Sequence, residues 1–228
     1  MRQGLIHDES GMTLVELLVA TAAGVIVMFG VVLAVIVTLR ETDRITTHID
    51  ANQRARLTMT RVINQLHSAC VAPQIAPVRE KSNGTTLIFW HQTGSAVAPV
   101  PVESKISLSG TTLTQFDYPS NGGTAPNWTF STTASSTTQL MTGVSPISES
   151  IPVFRYFGYT NGQINPTPLT VPLEANAGEV VQVNVAFQTS PMNTPIKDSS
   201  AKTGIQGAAL LRLTPPSYSS STANRPCQ

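Results

Sequence analysis

Between Leu17 and Leu39 the chain carries no Asp, Glu, Lys, Arg or His. These 23 uncharged residues are enough to cross the hydrocarbon core of a bilayer as a helix. The apolar stretch begins earlier, at Met12, and Met12–Leu39 extends roughly 40 Å at the helical rise. Whatever the remaining residues fold into is tethered to this segment. A cleaved secretory signal fits it poorly. Such a signal has an apolar core of about 7–15 residues followed by a small-x-small cleavage site. Here Ala20-Thr21-Ala22 lies inside the run. A plain signal anchor satisfies the hydropathy equally well. Arg2 precedes the run, and Arg40, Glu41, Asp43 and Arg44 behind it nearly cancel, so the charge bias favours an N-terminus inside the cytoplasm.

The polar residues after Leu39 do not break the helix, because neither Pro nor Gly occurs between Val31 and Val71. Leu57, Met59, Val62, Ile63, Leu66 and Cys70 recur at helical spacings and mark one face. Pro73 stops the helix at or before Ala72. The pattern predicts one helix from about Thr13 to Ala69, roughly 85 Å long. Residues 12–39 form its membrane half and residues 40–70 its amphipathic half, which must lie against something through the 59/62/63/66/70 stripe.

From residue 71 to 228 the texture changes to strands and turns rich in Ser, Thr, Pro and Gly. Thr85–His91 reads as a strand, and Lys105–Leu108 with Thr111–Tyr118 as a hairpin around Ser109-Gly110. Trp128–Thr132 and Gln139–Met141 are further strands. Val153–Tyr159 precedes an Asn161-Gly162 hairpin turn. In Glu179–Gln188, Val181, Val183, Val185 and Phe187 share one face, and Ala208–Leu213 closes the sheet. Ser131–Thr138 and the Ser217–Thr222 tail read as loops. The expected fold class is α+β, a long N-terminal helix packed on a mainly antiparallel β-sheet head. Packing the amphipathic half on the sheet covers both apolar faces.

Charged residues make up 12% of the 228-residue chain and the net charge is +1, so no bulk field draws in a charged partner. Arg54, Arg56 and Arg61 are too few for a nucleic-acid footprint. His7, His48, His67 and His91 have no carboxylate or Cys at ligand spacing, which leaves them surface or capping roles, and no metal or other cofactor is implied. No nucleophile, zinc or phosphate-loop motif occurs, and no Ser–His–Asp arrangement can be put together from the sequence. An enzyme is therefore not expected. Cys70 and Cys227 are the only cysteines. If the body of the chain lies outside the cytoplasm they read as one disulfide; otherwise they are two buried thiols.

The most specific signal is Gly11-Met12-Thr13-Leu14-Val15-Glu16-Leu17-Leu18-Val19-Ala20. It resembles the N-terminus of type IV pilins and of the pseudopilins of type II secretion. The resemblance implies a leader, residues 1–11, that ends in Gly11. It implies cleavage between Gly11 and Met12 by a prepilin peptidase, N-methylation of Met12, and Glu16 as the fifth mature residue. Met12 departs from the family's usual Phe but is similarly apolar. The large head and the Cys70/Cys227 pair look most like a J-type minor pseudopilin or a W-type minor pilin. The partners implied are the peptidase, other pilin or pseudopilin subunits and an inner-membrane assembly platform. The location implied is a single pass of the inner (plasma) membrane, with the head periplasmic or extracellular.

A residue without a side chain at Gly11 lets the backbone enter a narrow protease site. A carboxylate at Glu16, close to lipid, costs several kcal/mol unless paired or neutral. In the family it pairs with the new α-amine of a neighbouring subunit, which sets register as assembly proceeds. Glu16 is thus expected to be unsatisfied in a free subunit. Gly24 and Gly30 allow close helix approach within the run. A signal-anchored extracellular binding domain that never polymerises is the alternative, and it has no use for Glu16. An anchored hydrolase is a third possibility, without a supporting constellation.

Overall fold

The computed structural model describes residues 13–70, 75–95, 98–124, 127–190 and 202–211. The chain divides into two compact units between Thr46 and Thr47. One helix, α1 (Leu14–His67), contributes to both. It ends within two residues of the expected Ala69, at the Ser68 turn where Ser68 Oγ donates to Gln65 O at 2.8 Å. Among the described residues α1 is the one helix long and apolar enough to cross a membrane.

In the first unit every described residue, Thr13 to Thr46, is exposed. Val25, Ile26, Met28 and Phe29 are all more than 60% accessible. A helix that is apolar on every side and covered on none has water as its least favourable surroundings. This part of the chain is compatible with a membrane anchor or a signal sequence.

The second unit is α+β. Five strands form one antiparallel sheet. Along it run β1 (Thr86–Ser95), β2 (Ala98–Ser109), β3 (Thr112–Gly122) and β4 (Thr129–Phe130), and β5 (Ser136–Met141) also pairs with β3. The β2–β3 hairpin turns at Ser109-Gly110 as the sequence predicts, with Gly110 at φ +58°. β5 starts inside the stretch Ser131–Thr138 that reads as a loop. Its Ser and Thr side chains alternate against β3 and stay mostly solvent-facing, so strand pairing rather than hydrophobicity defines it.

The other main sheet comprises β6 (Val144–Ser145), β7 (Phe154–Phe157), β10 (Gln182–Thr189) and β11 (Thr203–Leu210). β10 is central, with β11 on one side and both β6 and β7 on the other. Between β7 and β10, β8 (Tyr159–Thr160) and β9 (Gln163–Ile164) form a small hairpin. Its turn residues Asn161 and Gly162 both take positive φ, the geometry that Asn-Gly favours. A 3₁₀ turn follows at Glu174–Glu179 and leads into β10.

One core joins the helix to both sheets. Ala55, Met59, Val62 and Leu66 of α1 pack with Leu87, Phe89, Ile106 and Leu113 of the first sheet. They also pack with Phe154, Tyr156, Val183, Val185 and Phe187 of the second. The expected stripe is largely as observed, with two differences. Leu57 is 71% exposed, because it lies about 140° around the helix from Val62. Ala51, Ala55 and Thr58, too small or polar to mark a face in the sequence, are buried where the helix approaches the sheets.

Candidate functional site

Two groups of chemistry-bearing residues stand out, one at each end of α1. At its start, Thr13 and Glu16 form a reciprocal cap. The Thr13 backbone N–H donates to Glu16 Oε2 at 3.0 Å, and the Thr13 hydroxyl donates to the same oxygen at 2.9 Å. The Glu16 N–H donates back to Thr13 Oγ1 at 3.3 Å. This is a Thr-x-x-Glu capping box, and it satisfies donors that the first helical turn leaves open. The Glu16 carboxylate is therefore hydrogen-bonded within its own chain, not unsatisfied as the sequence suggests. The spacing of Thr13 and Glu16 carried that signal. Gly11 and Met12 lie outside the described residues. Gly24 and Gly30 have open space around them, with no atom within 4 Å of an added Cβ.

At the far end of α1 a buried polar cluster lies on the core-facing side of the first sheet. Ser104 is fully buried, and its hydroxyl donates to Asp117 Oδ1. His91, 5% exposed, places Nε2 2.9 Å from Ser104 Oγ. Since the hydroxyl proton goes to Asp117, the imidazole N–H is the donor in that contact. Gln115 Nε2 donates to the same carboxylate oxygen at 2.7 Å. The sequence predicts a surface or capping role for His91; the structure corrects this. His91 follows Leu87 and Phe89 at steps of two, so strand alternation turns it inward with them. The parity of 87, 89 and 91 was the available signal. Burial pushes the His91 imidazole below its ordinary pKa, and the nearby charge of Asp117 opposes that shift.

The cluster brings a Ser, a His and an Asp together, but in an order unsuited to nucleophilic catalysis. A triad needs the imidazole between the acid and the hydroxyl, so that it can take the hydroxyl's proton. Here the hydroxyl sits between the other two, already donating to the acid, and no solvent reaches it. The arrangement clamps β1, β2 and β3 together. The main chain next to His91 also holds the end of α1. Gln92 N–H donates to Ser68 O at 3.2 Å and Cys70 N–H donates to Trp90 O at 2.8 Å. An open groove of about 570 Å³ runs beside it, lined by Leu57, Arg61 and Gln65 of α1 and by His91 and Thr93 of β1.

On the opposite side of the first sheet, Cys70, Ile75 and Trp90 form a second apolar cluster with Trp128 and Phe130. Arg79 stacks over Trp90 at 3.9 Å, and Trp90 Nε1 donates to Glu103 at 2.8 Å. Cys70 is fully buried and disulfide-bonded. Cys227, the other cysteine of the sequence, lies outside the described residues. Tyr156 is the remaining buried titratable group. Its hydroxyl donates to the carbonyls of Asn83 and Thr86 at 3.0 and 3.1 Å, and burial pushes its pKa far up. It is a neutral donor that fixes the turn before β1. Among the described residues no group of three or more His, Cys, Asp or Glu is placed to hold a metal ion. His67 is exposed and His48 half-buried, in keeping with the surface roles expected of them.

Compared with models of known protein families, with curated proteins and with solved structures, the chain matches none.

Proposed function

We propose that the chain is a minor pilin or pseudopilin, a structural subunit that is trimmed after Gly11, N-methylated on Met12 and assembled through its N-terminal helix. The observation that carries this reading is the register of Gly11, Met12, Thr13 and Glu16 at the head of an apolar helix with no cover of its own. A bundle of neighbouring subunits would bury that helix once it leaves the membrane. The capping box adds a feature to the assembly step. In the free subunit Glu16 is held by Thr13, and the incoming α-amine of a neighbour exchanges those neutral hydrogen bonds for a charge-assisted one. On this reading the head lies outside the cytoplasm, where a disulfide at Cys70 is expected, and its partner is Cys227. The role is structural, and the inaccessible Ser104 hydroxyl supports no hydrolytic one.

Mass spectrometry of the mature N-terminus tests the proposal. An N-methylated Met12 is expected, and an intact Met1 or cleavage beyond Leu39 would overturn it. A Glu16→Ala chain is expected to insert in the membrane and fail to join filaments. A signal-anchored domain that does not polymerise is the competing reading. It is favoured by the capping box itself, which gives Glu16 a role without any neighbour; normal behaviour of Glu16→Ala, with the leader retained, would select it.

A further inference from the structure

The outward side of the second sheet carries an arginine, Arg155, that makes no ion pair among the described residues. Val183, Val185 and Phe187 of β10 point into the core, so strand alternation turns Gln182 and Asn184 outward. Asn184 is directly paired with Arg155 of β7 on one side and with Ala208 of β11 on the other. Arg155, Asn184 and Ala208 therefore form one row across three strands. The small Ala208 leaves a hollow of about 220 Å³ beside Arg155, which Gln206 also lines.

The hydrogen bonding in this hollow is one-sided. Gln182 Nε2 donates to Asn184 Oδ1, which occupies one lone pair of that oxygen and leaves the Asn184 Nδ2–H₂ as a donor. Arg155 Nε is shielded from solvent and has no hydrogen-bond partner among the described residues. The guanidinium makes no ion pair among the described residues, and its one aromatic neighbour is Phe157, 6.0 Å from the ring centre. A buried N–H without a partner is unfavourable, so an acceptor that reached it would be held.

We infer that this hollow is a binding site for a carboxylate. Its two oxygens would take the Arg155 fork and the Asn184 amide, donors on directly paired strands about 5 Å apart at the backbone. The charge argument separates a carboxylate from a phosphate. The hollow offers one cation and neutral amides, which balances a single negative charge and leaves a dianion undercompensated. A free small acid and an acidic side chain of a partner protein share this chemistry.

The test uses the full chain in detergent micelles with ¹⁵N-labelled arginine, the Arg155 Nε–H signal being assigned by its loss in Arg155→Lys. Sodium acetate is titrated against sodium chloride at matched ionic strength. A saturable downfield shift of that signal in acetate alone is expected, with other arginine signals unmoved. Asn184→Ala should weaken acetate binding about fivefold, the loss of one hydrogen bond. Acetate should also raise the thermal midpoint of the wild type and not that of Arg155→Gln. A blocked Gly-Glu-Gly peptide separates the sources. Binding at least tenfold tighter than acetate supports a partner's side chain, and equal binding supports a free acid. A linear shift common to acetate and chloride, or saturation by inorganic phosphate without saturation by acetate, would overturn the inference.

Discussion

Replacing Ser104 with Ala removes one oxygen from the centre of the His91–Ser104–Asp117 cluster and leaves the surrounding apolar packing in place. Two hydrogen bonds disappear. The first is the imidazole donor of His91, left without a partner in a site 5% exposed, at a cost of about 1–3 kcal/mol. The second is the charge-assisted bond to Asp117, a kind worth about 1.5–3 kcal/mol. Asp117 is only half-buried and keeps the Gln115 amide at 2.7 Å, so water and that amide compensate much of the second loss. The expected net destabilisation is about 2–3 kcal/mol. Urea unfolding of the full chain in detergent, followed by Trp fluorescence, reports it well, because Trp90 adjoins His91 in β1. The midpoint should fall at an unchanged slope, since the surface exposed on unfolding is the same. A loss below about 0.5 kcal/mol would refute the reasoning, because it would mean that the hydroxyl contributes no net stabilisation between its two partners.

The remaining predictions concern the same unit. Burial lowers the His91 pKa in the folded state, so the unfolded chain takes up a proton first as pH falls. The stability due to neutral His91 is fully present above the ordinary imidazole value near 6.5 and is lost as pH drops from there toward the lowered folded value; His91→Gln should flatten that part of a stability–pH curve. Leu66→Ala, at a position 1% exposed in the core shared by α1 and both sheets, should cost about 2–5 kcal/mol in urea unfolding. Gly123 has φ +85°, and an added Cβ would lie 2.2 Å from Asn127 O. Gly123→Ala should therefore displace the segment that carries Trp128 and Phe130, seen as a change in near-UV circular dichroism from the Trp90 cluster.

The sequence by itself determined the features that depend on near neighbours. The charge-free run, the uninterrupted helix, the strand alternation of Val183, Val185 and Phe187, and the Ser109-Gly110 and Asn161-Gly162 turns are set by residues one to four positions apart. That is the range over which propensity and periodicity act. The Thr13–Glu16 box belongs to the same range. Tertiary structure alone decided the rest. It chose which small residues of α1, Ala51 and Ala55, are covered, because closeness of approach depends on what approaches. It extended the strand expected at Gln139–Met141 back to Ser136, into a run that reads as a loop, because β3 offered an edge with open hydrogen bonds. It joined His91, Ser104 and Asp117, each 13 residues from the next, because the register of β1, β2 and β3 carries their side chains to one face. It set Arg155 beside Asn184 across 29 residues of chain for the same reason. Strand register is fixed by how the whole sheet buries its apolar side, and no local stretch of sequence contains that information.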